Sequence, residues 1–478
     1  MKQYTVKLNG REIAVREITV SAMPFNKVWD GKQRNENQTE KGYYVTFDID
    51  KAAKLEITVN NEFENFELRP REFNLNTKRT GNTVEVSIQR PMQFTFEPFG
   101  RCNALHIFAN RPSDIPPEDI IYYGKGEHKA GLIELKSNQT LFIDEDAVVY
   151  GMIYARNVHD VKIMGRGVLS MAPYRRANDF GEGGREIYNE MQEKGIIGTE
   201  FENPEWVNEH FDDVGSASAH IVLYGCQNVS IEGIILEDSP FWSVIVRNGC
   251  ENIKIDNIKI IGQWRYNSDG IDICTSKNVT VKNCFIRSFD DCFVARGRHL
   301  LSETDDVENV TVENCVMWCD WGIALEVWNG RFPDSIRNVS FKNNYIIHLS
   351  AVAMDITTWY GSSESIISNI LFEKIYIDGE DVYMNPSIES EENPEYISKD
   401  DFSPLLVKIT AQKIGKSSGN QDFEAASDYS EFNIVYNNIV FRNIKCDGKK
   451  LDVLMEKQKG LLEINNVLVQ NCDFVLMS

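Results

Sequence analysis

Asn228-Val229-Ser230-Ile231, Asn252-Ile253-Lys254-Ile255, Asn278-Val279-Thr280-Val281 and Asn309-Val310-Thr311-Val312 repeat one phrase: asparagine, aliphatic, polar, aliphatic. The phrase returns at Asn338-Val339-Ser340-Phe341, Asn369-Ile370-Leu371-Phe372, Asn438-Ile439-Val440-Phe441 and Asn466-Val467-Leu468-Val469. From 228 to 369 successive starts lie 24, 26, 31, 29 and 31 residues apart, and the last pair 28. Alternation with period two, rich in Val, Ile and Thr, reads as strand. Strands recurring at this interval with no helical segment between them read as a solenoid. A leucine-rich repeat would show a Leu consensus, and a propeller longer repeats with Trp-Asp signatures; neither occurs. The pattern predicts an all-β protein, a right-handed parallel β-helix with asparagine at a recurring turn bonding the next coil.

Working outward, the repeats run over 118–478, with insertions at about 173–218 and 379–432. The first includes Arg185-Glu186-Ile187-Tyr188-Asn189-Glu190-Met191, a short helix by pattern; the second is rich in Glu, Asp, Ser and Asn. Insertions between solenoid repeats tend to flank a binding face. Residues 1–113 differ: Tyr44-Val45-Thr46-Phe47-Asp48-Ile49, Leu55-Glu56-Ile57-Thr58-Val59 and Thr83-Val84-Glu85-Val86-Ser87-Ile88 are short alternating strands between turns. They predict a small antiparallel β-sandwich, joined through the linker Arg111-Pro112-Ser113-Asp114-Ile115-Pro116-Pro117.

The chain has 478 residues with 72 acidic against 50 basic, a formal net charge of -22. Nucleic acids and anionic membranes are held mainly by Lys and Arg, so neither is an expected partner. The charge also disfavours, weakly, a strongly anionic polymer as substrate. No apolar run approaches ~18 residues, and the opening residues carry no apolar core of signal-peptide length. Ten cysteines sit mostly inside strand patterns, which fits a reduced, cytoplasmic protein unless a leader has been removed. Oligomeric state leaves no trace in the sequence.

A second strand precedes each Asn turn: Phe241-Trp242-Ser243-Val244-Ile245-Val246, Asp269-Gly270-Ile271-Asp272-Ile273, Asp291-Cys292-Phe293-Val294-Ala295, Trp321-Gly322-Ile323-Ala324-Leu325-Glu326 and Val352-Ala353-Met354-Asp355-Ile356. Aligned by apolar alternation, Asp269 and Asp291 share a column on neighbouring coils, ~4.7–4.9 Å apart. Asp290 adds a third carboxylate. Three such groups repel, and one with a raised pKa beside one that stays ionised is what acid–base chemistry needs. Adjacent strand residues point opposite ways, so Asp290 and Asp291 share the groove only if the backbone bends there. From spacing alone, catalysis, a calcium site and a simple polar ladder all remain open.

At these residues the chain resembles glycoside hydrolase family 28, the polygalacturonases. The family's Asn-Thr-Asp-Gly is similar to Asn267-Ser268-Asp269-Gly270, and its Asp-Asp pair followed by Cys to Asp290-Asp291-Cys292. The resemblance implies inverting hydrolysis without metal or cofactor. Asp290 would be the general acid, and Asp269 and Asp291 would activate water. The family's Gly-His-Gly falls on Asp320-Trp321-Gly322 and its Arg-Ile-Lys near Met354-Asp355-Ile356. An Asp there would repel an anionic sugar, which favours a neutral carbohydrate, its hydroxyls bonded by Glu326 or Asp355. Trp321 and Trp328 offer stacking platforms, with Trp242 and Asn267 as further binding candidates. Arg296 is a partner for an aspartate or a substrate oxygen. A β-sandwich ahead of a β-helix is also similar to family 49, the dextranases and isopullulanases. Competing functions are a β-helix lyase or glycosyl transferase and a non-catalytic carbohydrate-binding protein.

Overall fold

The computed structural model describes residues 3–22, 36–112, 120–176, 183–198, 217–297, 306–329, 334–360, 364–379, 404–414, 423–424, 433–448, 451–455 and 462–475. The expected linker after Pro112 and most of both insertions lie outside these residues.

The described strands from Ile121 to Gln470 form a 28-stranded, almost wholly parallel sheet wound into a right-handed parallel β-helix. A full coil contributes three strands, one more than the sequence suggested. Val244–Arg247, Glu251–Asp256 and Lys259–Ile261 make one coil and pair in register with Ile271–Cys274, Lys277–Lys282 and Phe285–Ser288 of the next. Short third strands such as Lys259–Ile261 carry too few alternations to stand out in sequence.

The asparagine prediction is met. Asn252 donates to Asn228, Asn309 to Asn278, Asn338 to Asn309, Asn369 to Asn338 and Asn438 to Asn369, at 2.8–3.3 Å. Each sits at φ between 54° and 59°, a left-handed region that Asn tolerates because its short polar side chain bonds locally. Inward residues alternate with these turns and build one continuous core, with Phe341, Phe372 and Phe441 stacked at 4.7 and 5.1 Å. The column six residues after each Asn is buried except at Cys472, which is half-buried, and its one polar member Asn344 is satisfied: its Oδ1 accepts from Cys315 N and its Nδ2 donates to Val312 O.

The described strands between Tyr4 and Asn110 form two five-stranded sheets facing each other across a core that includes Leu55, Val86, Phe94 and Ile107. The sandwich is not purely antiparallel: Leu105–Asn110 runs parallel to Thr39–Asp48. The outer face of that sheet packs on the third-strand side of the β-helix, where Tyr44 and Phe108 meet Phe285 and Trp318. A helix α1, Glu186–Glu193, lies where the first insertion was read as helical. It buries Ile187, Tyr188 and Met191 against Met152, Tyr154 and Trp242. Among the described residues no helix is long and apolar enough to cross a membrane.

Candidate active site

Ile271 pairs with Phe293, and Gly270 N donates to Asp291 O at 2.7 Å. Asp269 and Asp291 therefore stand one above the other at the entrances of two neighbouring strands, as the alternation required. Phe289-Asp290 forms a bend between the strands ending at Ser288 and beginning at Phe293. Ser288 Oγ fastens that bend by donating to Asp290 O at 2.6 Å. The bend answers the objection that neighbouring residues face opposite ways. A Cβ added to Gly322 would lie 2.5 Å from Asp290 Oδ1 and 2.6 Å from Asp291 Oδ1, so both carboxylates reach the same place.

The next coil departs from the simple alignment. Phe293 pairs with Leu325, not Ile323, so Ile323 stands opposite Asp291 and Trp321-Gly322 precede the column. This two-residue offset brings the glycine backbone over the aspartate pair. Ile323 N donates to Asp291 Oδ1 at 2.7 Å, and Asn267 Nδ2 donates to Asp290 Oδ2 at 3.1 Å. Asn267 is itself held from behind: buried Arg176 donates to Tyr266 O at 2.9 Å and reaches Asn267 Oδ1 at 3.5 Å.

The outward positions of the same strands extend the acidic cluster. Asp272, Val294, Glu326, Asp355 and Lys408 form one column on successive coils. Asp272 and Lys408 escaped the sequence reading, although the period-two outward positions that hold Glu326 and Asp355 also contain them. Arg296 donates through Nε to Asp272 at 3.1 Å, and its Nη2 lies 3.7 Å from Asp269. Its guanidinium is clamped between Trp242 and Trp328, 4.6 and 4.7 Å from their ring centroids. Arg296 is thus a buried partner of aspartates. Trp328, only 2 % exposed, turns a face to this cation instead of offering an open platform, and Trp242 is equally buried. Trp321 is partly exposed and stacks on Phe289 at 5.5 Å, beside Tyr266. Asp355 is fully buried, its oxygens engaged by Thr357 at 2.8 and 2.9 Å and by Lys408 at 3.5 Å. It is not displayed to a sugar hydroxyl. Glu326, almost as buried, stands beside it.

Six carboxyl groups crowd around Arg296 and Lys408 here, with Arg247 also acting on Asp272, and the electrostatics follow. Burial, then the charges of Asp290, Asp272 and Asp291, hold Asp269 well above the ordinary carboxylate range. Burial and then Asp291 do the same to Asp290. Asp291 is also raised by burial, with Arg296 the strongest opposing influence. Burial pushes Asp272 up to about 7 against the pull of Arg296. Such a cluster binds protons more tightly than isolated carboxylates do and releases them as a coupled set. Among the described residues no three His, Cys, Asp or Glu side chains are grouped to hold a metal ion.

Comparison with known proteins places similarity on this stretch. A profile described as "Glycosyl hydrolases family 28" matches residues 197–421. An exopolygalacturonase of Arabidopsis thaliana is 31% identical over 167 residues, 34% of this chain and 35% of that protein. A probable exopolygalacturonase B of Emericella nidulans is 24% identical over 332 residues, 65% of this chain and 64% of that one. The match thus spans about a third of the Arabidopsis relative's length. Among solved structures, Dex49A from Penicillium minioluteum superimposes with a TM-score of 0.58 over 97% of this chain and 88% of its own, at 13% identity, which speaks to fold alone. By sequence the chain resembles glycoside hydrolase family 28, and in fold it is similar to Dex49A.

Proposed function

We propose that the chain is a glycoside hydrolase acting on a poly- or oligosaccharide. The observation that carries this reading is the convergence of Asp290 and Asp291 at Gly322, with Asp269 stacked in register behind them. In this reading Asp290 is the proton donor, kept protonated by burial and by its neighbour, and Asn267 holds it in place. Asp291 and Asp269 orient and activate a water for attack with inversion. The surplus of carboxyl groups over Arg296 and Lys408 supports a neutral sugar at the cleavage point, because a uronate there would add a further negative charge. The alternative substrate is a galacturonate polymer, drawn from the relatives' names, with Lys408 as carboxylate partner. A second stereochemical reading has its own support. The two Oδ1 atoms converging on Gly322 lie no more than about 5 Å apart, short of the ~6.5–9.5 Å by which inverting enzymes separate their carboxyls.

α1 packs over the outward face of the coils before Asp269, which supports a site closed on that side and hence short or chain-end substrates. We place the protein in a reducing compartment, on the ground that none of its ten cysteines forms a disulfide. We also take 1–113 and 118–478 as its two domains. The test is reducing-end release from polygalacturonate, dextran, pullulan and mixed plant oligosaccharides, with proton NMR of the first-formed anomer. Cleavage with inversion supports the assigned roles, and retention reassigns Asp291 as nucleophile. Absence of cleavage across the panel, with sugar binding intact, would favour a binding protein instead.

A further inference from the structure

The sandwich sends a charge into the β-helix directly behind the aspartates. Arg101 Nη2 donates to Asp320 Oδ1 at 2.7 Å, and both side chains are nearly inaccessible, 4% and 1% exposed. Arg287 Nε approaches Asp320 Oδ2 at 3.3 Å, and Trp318 Nε1 donates to Oδ1 at 2.8 Å. Arg287 lies over the Trp318 ring at 3.8 Å. A carboxylate buried this deeply is stable as an ion only when such partners surround it. Two of its three neighbours come from the β-helix itself; Arg101 comes from the sandwich.

Asp320 is also the first residue of the loop that closes over the catalytic pair. Its N–H donates to Ser288 O at 3.0 Å, Trp321 N to Phe289 O at 2.7 Å, and Gly322 N to Phe289 O at 3.3 Å. Asp320-Trp321-Gly322 is thereby laced to Ser288-Phe289, the bend that aims Asp290 and Asp291. A shift of Asp320 moves Gly322 against both carboxylates, which have no slack there.

We infer that Arg101 is a positioning residue: the N-terminal sandwich completes the active site by pinning Asp320, and through it the loop and bend that set the geometry of Asp290 and Asp291. This rests on the glycosidase reading for its kinetic consequence, but not for its structural one.

The experiment uses the full chain and three variants: Arg101→Met, Arg101→Lys, and Arg69→Met as a control. Arg69 is a buried arginine at the same interface whose partners, Glu97 at 3.3 Å and Asp378 at 3.5 Å, lie off the catalytic loop, Glu97 reaching it only indirectly, through His348 and Trp318. Melting temperature, kcat, KM and the pH profile of kcat are measured on the best substrate of the panel. Arg101→Met should lower kcat ten- to hundred-fold, since a misplacement of ~1 Å is worth about 10²-fold. KM should stay within about twofold and the acid limb should move. Arg101→Lys should recover most of the rate, and Arg69→Met should lose stability while keeping kcat. Wild-type kcat and pH profile in Arg101→Met would overturn the inference, as would an equal loss of kcat in Arg69→Met. If the wild type cleaves nothing, the glycosidase reading fails separately. The pH titration of Trp321 emission, taken by difference against Trp321→Phe, then decides. A displaced midpoint in Arg101→Met supports the pinning role, and an unchanged one refutes it.

Discussion

Replacing Gly322 by alanine adds one methyl group where two carboxylates and a backbone meet. The new Cβ would lie 2.5 Å from Asp290 Oδ1, 2.6 Å from Asp290 C and 2.6 Å from Asp291 Oδ1, whereas ordinary contact begins near 3.4 Å. Gly322 does not sit at positive φ, so backbone conformation is no obstacle and space alone is at issue. The oxygens can swing aside, but the carbonyl carbon of Asp290 cannot move without carrying the bend with it. Relief therefore demands a displacement approaching 1 Å at the aspartate pair. A shift of that size is worth about 10²-fold in rate, or about 2.7 kcal/mol of transition-state stabilisation. Overpacking of this kind costs about 1–3 kcal/mol of stability, small enough for the chain to remain folded. The assay is reducing-end release at saturating substrate for wild type and Gly322→Ala, with calorimetric melting of both. A variant with wild-type kcat would show that the aspartates tolerate the displacement, and the argument from their convergence would fall.

Asp290→Asn should abolish detectable cleavage, a loss of about 10²–10⁴-fold for removing a general acid, while leaving oligosaccharide binding measurable by calorimetry; residual rate above that range would reassign the acid. Burial pushes Asp272 up to about 7 when folded, against its ordinary value when unfolded, so the folded state keeps its proton across that interval. Its contribution to stability is therefore complete at acid pH and is lost as pH rises toward 7, by up to about 4 kcal/mol. Asp272→Asn should flatten the fall in melting temperature between about pH 4 and pH 7, and parallel curves for the two proteins would refute the assignment. Lys374 occupies a left-handed turn at φ 55° where other coils place Asn314, Asn343, Asn443 and Asn471. Lys374→Asn should stabilise by about 1 kcal/mol, visible as a raised midpoint in denaturant.

The solenoid was legible because its two signals, alternation and a left-handed asparagine, are each enforced locally on every coil. Asp269 over Asp291 followed from the same alternation. The offset at Trp321-Gly322 did not, for a physical reason: a slip of two residues preserves which side chains point inward. Trp321, Ile323 and Leu325 alternate equally well in either register, so apolar pattern cannot detect the shift that brings Gly322 over the pair. Asp272 and Lys408 were overlooked because each lies in a strand whose apolar members drew the reading. The Arg101–Asp320 pair joins residues 219 apart in sequence, and nothing local to either marks it. The parallel pairing of Leu105–Asn110 with Thr39–Asp48 was hidden likewise, since period-two alternation is the same for either strand direction.

The asparagine turns have one more property. In every amide-to-amide rung the later coil donates and the earlier coil accepts, so the side-chain dipoles add along the axis. Asn278 donates to Glu251 and not to Asn252, so the rungs form two rows, each with a positive and a negative end, as a helix has. Toward the N-terminus the first row reaches Asp160, which holds the same left-handed turn at φ 56° and accepts from Asn228 at 3.2 Å. Its acidity is strengthened first by His159 and then by this amide. A carboxylate thus meets the positive end of the row, as an acidic residue does at the start of a helix.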